Sequence, residues 1–287
     1  MKLDAGGQLN KAGGSALNFV PRLNLVANIN EKFYAKLMYG QAFRSPALVE
    51  RYLNSKVVHS GFVPPLVGGG STLSPETITT AEFQLAYKFS TVQLTATYFN
   101  SQQNDIIGNS SPSDSLVIAN AGQIGKKLFA PKKINNGSLA SQGIELEGKA
   151  TASKNLYVTT SLSLFDVEKG KPQGIPTMMF KLGITYELRK LGLQTGLFNS
   201  YYNAGDAITV RYPTANPAVA AYNLMTLNVN WDMKKLYTGR KPDVLISLFV
   251  DNLLDEAVYY PELQRRVINS IPGRSGRGFY VSVKVGF

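Results

Sequence analysis

The stretch Arg277–Phe287, RGFYVSVKVGF, alternates without a fault. Phe279, Val281, Val283, Val285 and Phe287 share one parity, and Gly278, Tyr280, Ser282, Lys284 and Gly286 share the other. A period of two means a strand whose faces meet different surroundings. Here the apolar face begins and ends with a phenyl ring. The two rings stand about 26 Å apart along a strand, or about 20 Å along a membrane normal once the strand tilts. That places one ring at each interface of a thin bilayer, as in a lipid-facing barrel strand.

The same pattern recurs upstream. Period two predicts about eleven strands: 17–29, 33–44, 77–88, 92–104, 142–151, 156–165, 177–187, 191–202, 223–233, 244–251 and 278–287. Most run about ten residues, the length a tilted membrane strand requires, against about five or six in globular sheets. Connections alternate between short (30–32, 89–91, 152–155, 188–190) and long (45–76, 105–141, 166–176, 203–222), ending with a moderate link at 234–243 and a long one at 252–277. Outer-membrane barrels show this asymmetry, with short periplasmic turns and long extracellular loops.

Charge placement is an independent test. Arg22, Lys36, Arg44, Glu82, Lys88, Glu145, Glu147, Lys149, Lys181, Glu187, Asp232 and Lys284 all fall on the parity opposite the apolar residues. A lipid-facing Arg or Lys near the midplane costs about 2–4 kcal/mol, whereas one facing a wet lumen costs little. On the apolar parity, Phe33, Tyr87, Tyr186, Trp231 and Phe287 gather toward the short turns. Phe43, Tyr98, Tyr201 and Phe279 gather toward the long loops. These are the two aromatic girdles of a membrane strand set. A soluble β-sandwich also alternates, but explains neither the strand length nor the rhythm of connections.

With 287 residues, 44% of them hydrophobic, the chain is large enough for one big β domain. No apolar run approaches the length of a spanning helix; only a barrel can cross a membrane with this composition. There are no cysteines, hence no disulfides and no thiolate metal site. The net charge of +11 suggests an anionic partner. The charges are scattered and no nucleic-acid-binding motif accompanies them, so nucleic acid is not expected. Lys126, Lys127, Lys132 and Lys133 fall in one long connection, and Arg265, Arg266, Arg274 and Arg277 in or beside another. Lipid phosphates and lipopolysaccharide are natural counter-charges there. Residues 1–16 read as an irregular, truncated start without the apolar core of a signal peptide. Residues 17–287 read as the barrel portion. An odd strand count cannot close an antiparallel barrel, so the strands read as part of a larger one.

Several short motifs punctuate the strands. Phe43-Arg44-Ser45-Pro46 ends one, and Pro46 precedes a predicted short helix over 47–53. Asp251-Asn252-Leu253-Leu254-Asp255 stops another at the mouth of the last long loop. Pro272-Gly273-Arg274 turns the chain back into its final strand. Together with 39–46, Leu73-Ser74-Pro75-Glu76 followed by Glu82, Ser141–Glu147 and Tyr259, these stretches resemble, in order and spacing, the C-terminal half of the barrel of a TonB-dependent outer-membrane receptor. The resemblance implies an all-β antiparallel transmembrane barrel of about 22 strands, of which about eleven lie here, with an N-terminal plug missing. It implies an outer-membrane location and energised import of a scarce ligand: an iron-siderophore first, with haem, cobalamin or a glycan as other options. It implies TonB as a partner through the plug, and the barrel-assembly machinery as a partner of Phe279, Val281, Val283, Val285 and Phe287.

Candidate ligand-binding residues are Arg44, His59, Tyr202, Arg211, Tyr212, Tyr259, Tyr260, Arg265 and Arg266, where aromatics and cations beside outward loops suit an anionic or catecholate small molecule. His59 is the single histidine. It sits between two boxes as in haem-uptake members, although Ser71–Glu76 departs from their second box. Lys36, Glu82, Glu145, Glu147, Lys149, Lys181, Asp232 and Lys284 are the expected lumen lining. No catalytic arrangement, resident cofactor or metal site emerges. The alternatives are a passive porin-like channel and a soluble β-sandwich that binds a ligand such as a glycan.

Overall fold

A computed structural model describes residues 1–11, 17–52, 70, 72–110, 116–117, 129–130, 132–169, 175–205, 219–236, 243–259 and 273–286. Its strands are β1 (Lys2–Asn10), β2 (Asn18–Asn28), β3 (Phe33–Arg44), β4 (Glu76–Phe89), β5 (Val92–Asn109), β6 (Leu116–Val117), β7 (Phe129–Ala130), β8 (Lys133–Ser153), β9 (Leu156–Lys169), β10 (Met178–Leu188), β11 (Leu193–Tyr202), β12 (Tyr222–Asp232), β13 (Asp243–Asp251) and β14 (Gly278–Gly286). Among the described residues one α-helix, α1 (Leu48–Tyr52), follows Pro46, and Met233–Leu236 form a single 3₁₀ turn. Twelve strands form a single antiparallel sheet in the order β1-β2-β3-β4-β5-β8-β9-β10-β11-β12-β13-β14, while β6 and β7 pair only with each other. Apart from the β6–β7 pair inserted between β5 and β8, each strand lies beside its neighbour in sequence, the up-and-down order of a membrane barrel.

Pairing register carries the apolar parity from strand to strand unbroken. Leu3 opposes Leu25, Leu25 opposes Leu37, and Leu37 opposes Phe83. Beyond them, Phe83 opposes Tyr98, Tyr98 opposes Ile144, and Ile144 opposes Leu164. At the far side Leu197 opposes Leu227, Leu227 opposes Val250, and Val250 opposes Phe279. Directly opposed residues point to the same face, so this face is continuous across all twelve strands. It is also bare: Leu37 is 49% exposed, Leu94 50% and Ile144 47%. Buried apolar side chains are few and scattered among the described residues, Val20, Ala86 and Val250 among them. A dissolved sandwich would press such a face against a second layer. Among the described residues nothing layers it, so the sandwich reading is set aside.

The opposite face carries Lys36, Glu82, Glu145, Glu147, Lys149, Lys181, Asp232 and Lys284, as the alternation requires. Its polar side chains bond across strands: Gln84 Nε2 donates to Thr97 Oγ1 at 3.1 Å, and Ser247 Oγ to Asn230 Oδ1 at 2.7 Å. Asp166 departs from the rule, sitting on the apolar parity opposite Gln142 at the long-loop end of β9.

The short links are turns built by single residues. Asn30 Oδ1 accepts from the N–H groups of Lys32 and Phe33 between β2 and β3, an Asx turn. Between β10 and β11, Gly192 takes a φ of 66° that other residues avoid. Trp231 donates its indole N–H to Leu191 O at 3.1 Å, and Phe33 and Tyr87 meet at 4.8 Å between centroids. Rings and short turns thus share one rim.

Three expectations need correction. Residues 2–10, read as irregular, form β1, so the first edge of the sheet is β1 rather than the strand starting near Leu17. The sheet therefore holds twelve strands, not eleven. The strand expected over 142–151 begins at Lys133 and spans 21 residues, paired to a β5 that runs to Asn109. A run of that length reaches about 70 Å when extended, far more than a bilayer needs. A register shift between Gln103 and Ile106, with Asp105 at a φ of 57°, marks the bulge beyond which the hairpin projects.

Candidate ligand-facing site

At the long-loop rim three built features stand out. The first is a hub on Arg44, at the end of β3. Its Nε donates to Glu76 Oε2 and its Nη2 to Glu76 Oε1, both at 2.7 Å. Its Nη1 lies 3.0 Å from Glu50 Oε2 on α1. Glu76 Oε1 also accepts from the Ile107 N–H at 2.8 Å, and Glu50 Oε2 from the Ala47 N–H at 2.7 Å. A planar guanidinium gripping one carboxylate with two parallel bonds is the strongest pairing geometry available to these groups. Arg51 is buried beneath, donating to Leu73 O at 3.0 Å. Asn135 of β8 closes the corner by bonding both N–H and C=O of Ser74. The two boxes of the β3–β4 loop and the base of the β5–β8 arm are therefore tied together.

The hub carries a pH signature. The hydrogen bond from Arg44 holds the Glu50 carboxyl below its ordinary range, assisted by the Ala47 N–H and opposed by partial burial. A carboxyl whose pKa is lowered on folding contributes stability above its unfolded value of about 4.5, and that contribution is lost as pH falls through the folded value. Protection of the α1 amides, taken relative to their intrinsic exchange at each pH, is therefore expected to fall selectively on acidification below about pH 4.5, and in Glu50→Gln to be low at neutral pH already. Equal protection of α1 in both proteins at neutral pH would remove the hub's role in holding the loop base.

The second feature is a knot around Asn252. Its side chain is fully buried, with a φ of 48°. Nδ2 donates to Glu256 O at 2.9 Å and to Ser275 O at 3.3 Å, while Oδ1 accepts from Glu256 N at 2.9 Å. Asp251 receives Arg274 Nη2 on both oxygens, at 2.8 and 3.0 Å. Asp255 Oδ1 accepts from the Arg277 N–H at 2.8 Å. The start and return of the last long loop are cross-tied before β14 begins.

The third is aromatic. Tyr202 and Tyr222, at the outer ends of β11 and β12, stack at 4.9 Å with 24° between planes. Beside them on the polar face, Phe99, Leu139, Ser141, Phe165, Val167, Ile175 and Thr177 line a recess of about 180 Å³.

Of the candidate ligand residues, Arg44 is committed to Glu76 and Glu50, and Tyr202 to its stack with Tyr222. Tyr259 is 41% exposed at the start of the last loop. His59, Arg211, Tyr212, Tyr260, Arg265, Arg266 and the terminal Phe287 lie outside the described residues. Phe279, Val281, Val283 and Val285 line the apolar face of the edge strand β14, between 45% and 68% exposed. Sequence reasoning missed Glu50 and Glu76 as partners of Arg44, the burial of Asn252, and the Phe99–Phe165 recess. Phe99 and Phe165 were visible as rings on the otherwise polar parity.

A family model described as TonB dependent receptor-like, beta-barrel matches residues 2–253. The ferric enterobactin receptor PfeA of Pseudomonas aeruginosa, in complex with BCV-L6, superposes with a TM-score of 0.75 at 16% identity, over 98% of this chain and 42% of that one. The siderophore receptor PirA of the same organism gives 0.65 at 20% identity, over 98% and 44%. The FrpB iron transporter of Neisseria meningitidis gives 0.65 at 15% identity, over 93% and 39%. No curated protein sequence matches. The chain belongs to the TonB-dependent receptor β-barrel family, and is an outer-membrane protein. It spans about two fifths of the length of the solved structures it resembles.

Proposed function

We propose that this chain is the C-terminal part of a receptor barrel that imports a scarce ligand, an iron-siderophore before haem, cobalamin or a glycan. The observation that carries the reading is a single sheet with one continuous lipid-suited face and one charged face, capped at the long-loop rim by tied loop bases. Lys36, Glu82, Glu145, Glu147, Lys149, Lys181, Asp232 and Lys284 then line the lumen. Tyr202, Tyr259 and the loop residues His59, Arg211, Tyr212, Tyr260, Arg265 and Arg266 meet the ligand from above. Arg44 serves the site by fixing the loop base. In this reading the plug and an N-terminal barrel portion complete the receptor, and TonB acts through the plug. Phe279, Val281, Val283, Val285 and Phe287 present the assembly signal, and lipopolysaccharide contacts the basic outer loops. No catalytic role is assigned.

The test is radioactive iron uptake by iron-starved cells, with ferric enterobactin as the probe. Uptake is expected to fall to background when the receptor gene is deleted, and equally when TonB is removed. Receptor-dependent entry that survives loss of TonB would make the barrel a passive channel instead.

A further inference from the structure

The recess on the charged face is out of keeping with its surroundings. Phe99, Gly143 and Phe165 oppose one another across β5, β8 and β9, in one row of the sheet. Ser141 and Val167 form the next row toward the long loops, and Leu139 and Ile175 close the outer side. A side chain at position 143 would stand 2.8 Å from the Phe99 ring and against Leu164 O. Glycine is thus what lets the Phe99 ring lie over position 143, toward Phe165 of the next strand. The lining is apolar except for Ser141 and Thr177 at the rim.

A water-facing wall gains nothing from such a cluster, because its apolar area stays hydrated. Its size points to the occupant. A cavity of about 150 Å³ lined by Leu, Ile and Phe holds a benzene molecule, and this one measures about 180 Å³. Among the described residues that line it none is charged, so an ionised group entering it would lose hydration without a partner there. Along the same rim, Phe165 N donates to Thr177 O, and Met179 of β10 opposes Tyr202, which stacks on Tyr222. Thr177 and, on β10, Met179 thus stand on the same face between the recess and the Tyr202–Tyr222 stack.

We propose that this recess is a subsite for one uncharged planar ring of the imported ligand, held against Phe99 and Phe165. The inference rests on the receptor reading for the origin of the ring, not for the ring's fit. The ring contributes buried apolar area and offset aromatic contacts, while the ionised parts of the ligand remain outside with the loop cations. A ligand without such a ring leaves the recess unused.

The test uses outer-membrane vesicles carrying the receptor as the cell makes it, with fluorobenzene as probe and fluorine NMR as readout. Vesicles lacking the receptor give the lipid background. Saturable binding above that background is expected. It should weaken at least about tenfold, or about 1.4 kcal/mol, when Leu139→Trp or Ile175→Trp fills the space. Lys190→Ala, in a turn at the opposite rim, should leave it unchanged. Ile175 is itself a partly exposed rim residue, so its variant is expected to fold even where Leu139→Trp does not. Absence of saturable binding, or equal binding in the filled variants, overturns the proposal. Binding that appears only after the plug is deleted also overturns it, because a plug side chain then owns the recess. Iron uptake is scored separately, so loss of the transport reading leaves the ring measurement standing, and the reverse holds too.

Discussion

Asn252→Ala is expected to destabilise the folded barrel by about 4 kcal/mol, the largest effect of any single side-chain truncation in the described residues. Three hydrogen bonds end on that side chain, in a site with no access to solvent. Truncation leaves the half-buried Glu256 N–H and C=O and the more exposed Ser275 C=O without their partner, at about 1–3 kcal/mol for a buried group left unsatisfied and less where water reaches it. It also places a Cβ-bearing residue without a helpful side chain in the left-handed region, worth about 1 kcal/mol more. Asn252→Gly separates the two contributions, since it relieves the backbone and still loses the bonds. Urea titration in detergent, followed by the shift in gel mobility between folded and unfolded barrel, measures both. A change below about 1 kcal/mol for Asn252→Ala would mean that the knot forms without its central residue.

The second large effect concerns the face that meets lipid. Leu146 lies in mid-strand on β8, opposite Ala96 and Leu162, and is 43% exposed. Leu146→Arg should cost about 2–4 kcal/mol, the penalty for a cation near the bilayer midplane. Glu147→Arg, one residue along, should cost almost nothing, because its side chain stands on the other face opposite Ser161. The pair differ by one step in sequence and by a whole environment in space. Heat-modifiable folded protein in outer-membrane fractions is the readout. Equal yields of the two variants would deny that the Leu146 face is in hydrocarbon.

What the sequence disclosed and what it hid divide along physical lines. Strands that separate lipid from water advertise themselves, because each residue is chosen by the medium it meets: 33–44 was delimited to the residue and 278–287 nearly so. The extension of β8 over 133–141 was invisible for the complementary reason. Past the bilayer neither face of the hairpin meets hydrocarbon, so Lys133–Ser141 pairs with β5 through the backbone ladder and amide side chains such as Asn135 and Asn136, and shows no alternation. In β1 the alternation exists, but Ala5 and Gly7 dilute the apolar side and Gly6 the other. The hub at Arg44 could not be read either. Its partner Glu76 is 32 residues away, and only pairing of β3 with β4 brings Arg44 opposite it. Phe99 and Phe165 stand on the polar parity of their strands, but nothing in the linear sequence says that they meet. Their proximity depends on the β8 register, which puts Gly143 between them.

An even number of strands has a topological corollary. β1 and β14 run in opposite directions, so any set of strands that completes the ring with antiparallel seams must itself be even in number. Ten would bring the circumference to about 22, the size of a plugged outer-membrane transporter. Lys2 and Gly286 both stand on the rim of short turns. Whatever closes the ring has to pair along the whole of both edges, β1 and β14, from that rim up to the rim of the tied loops.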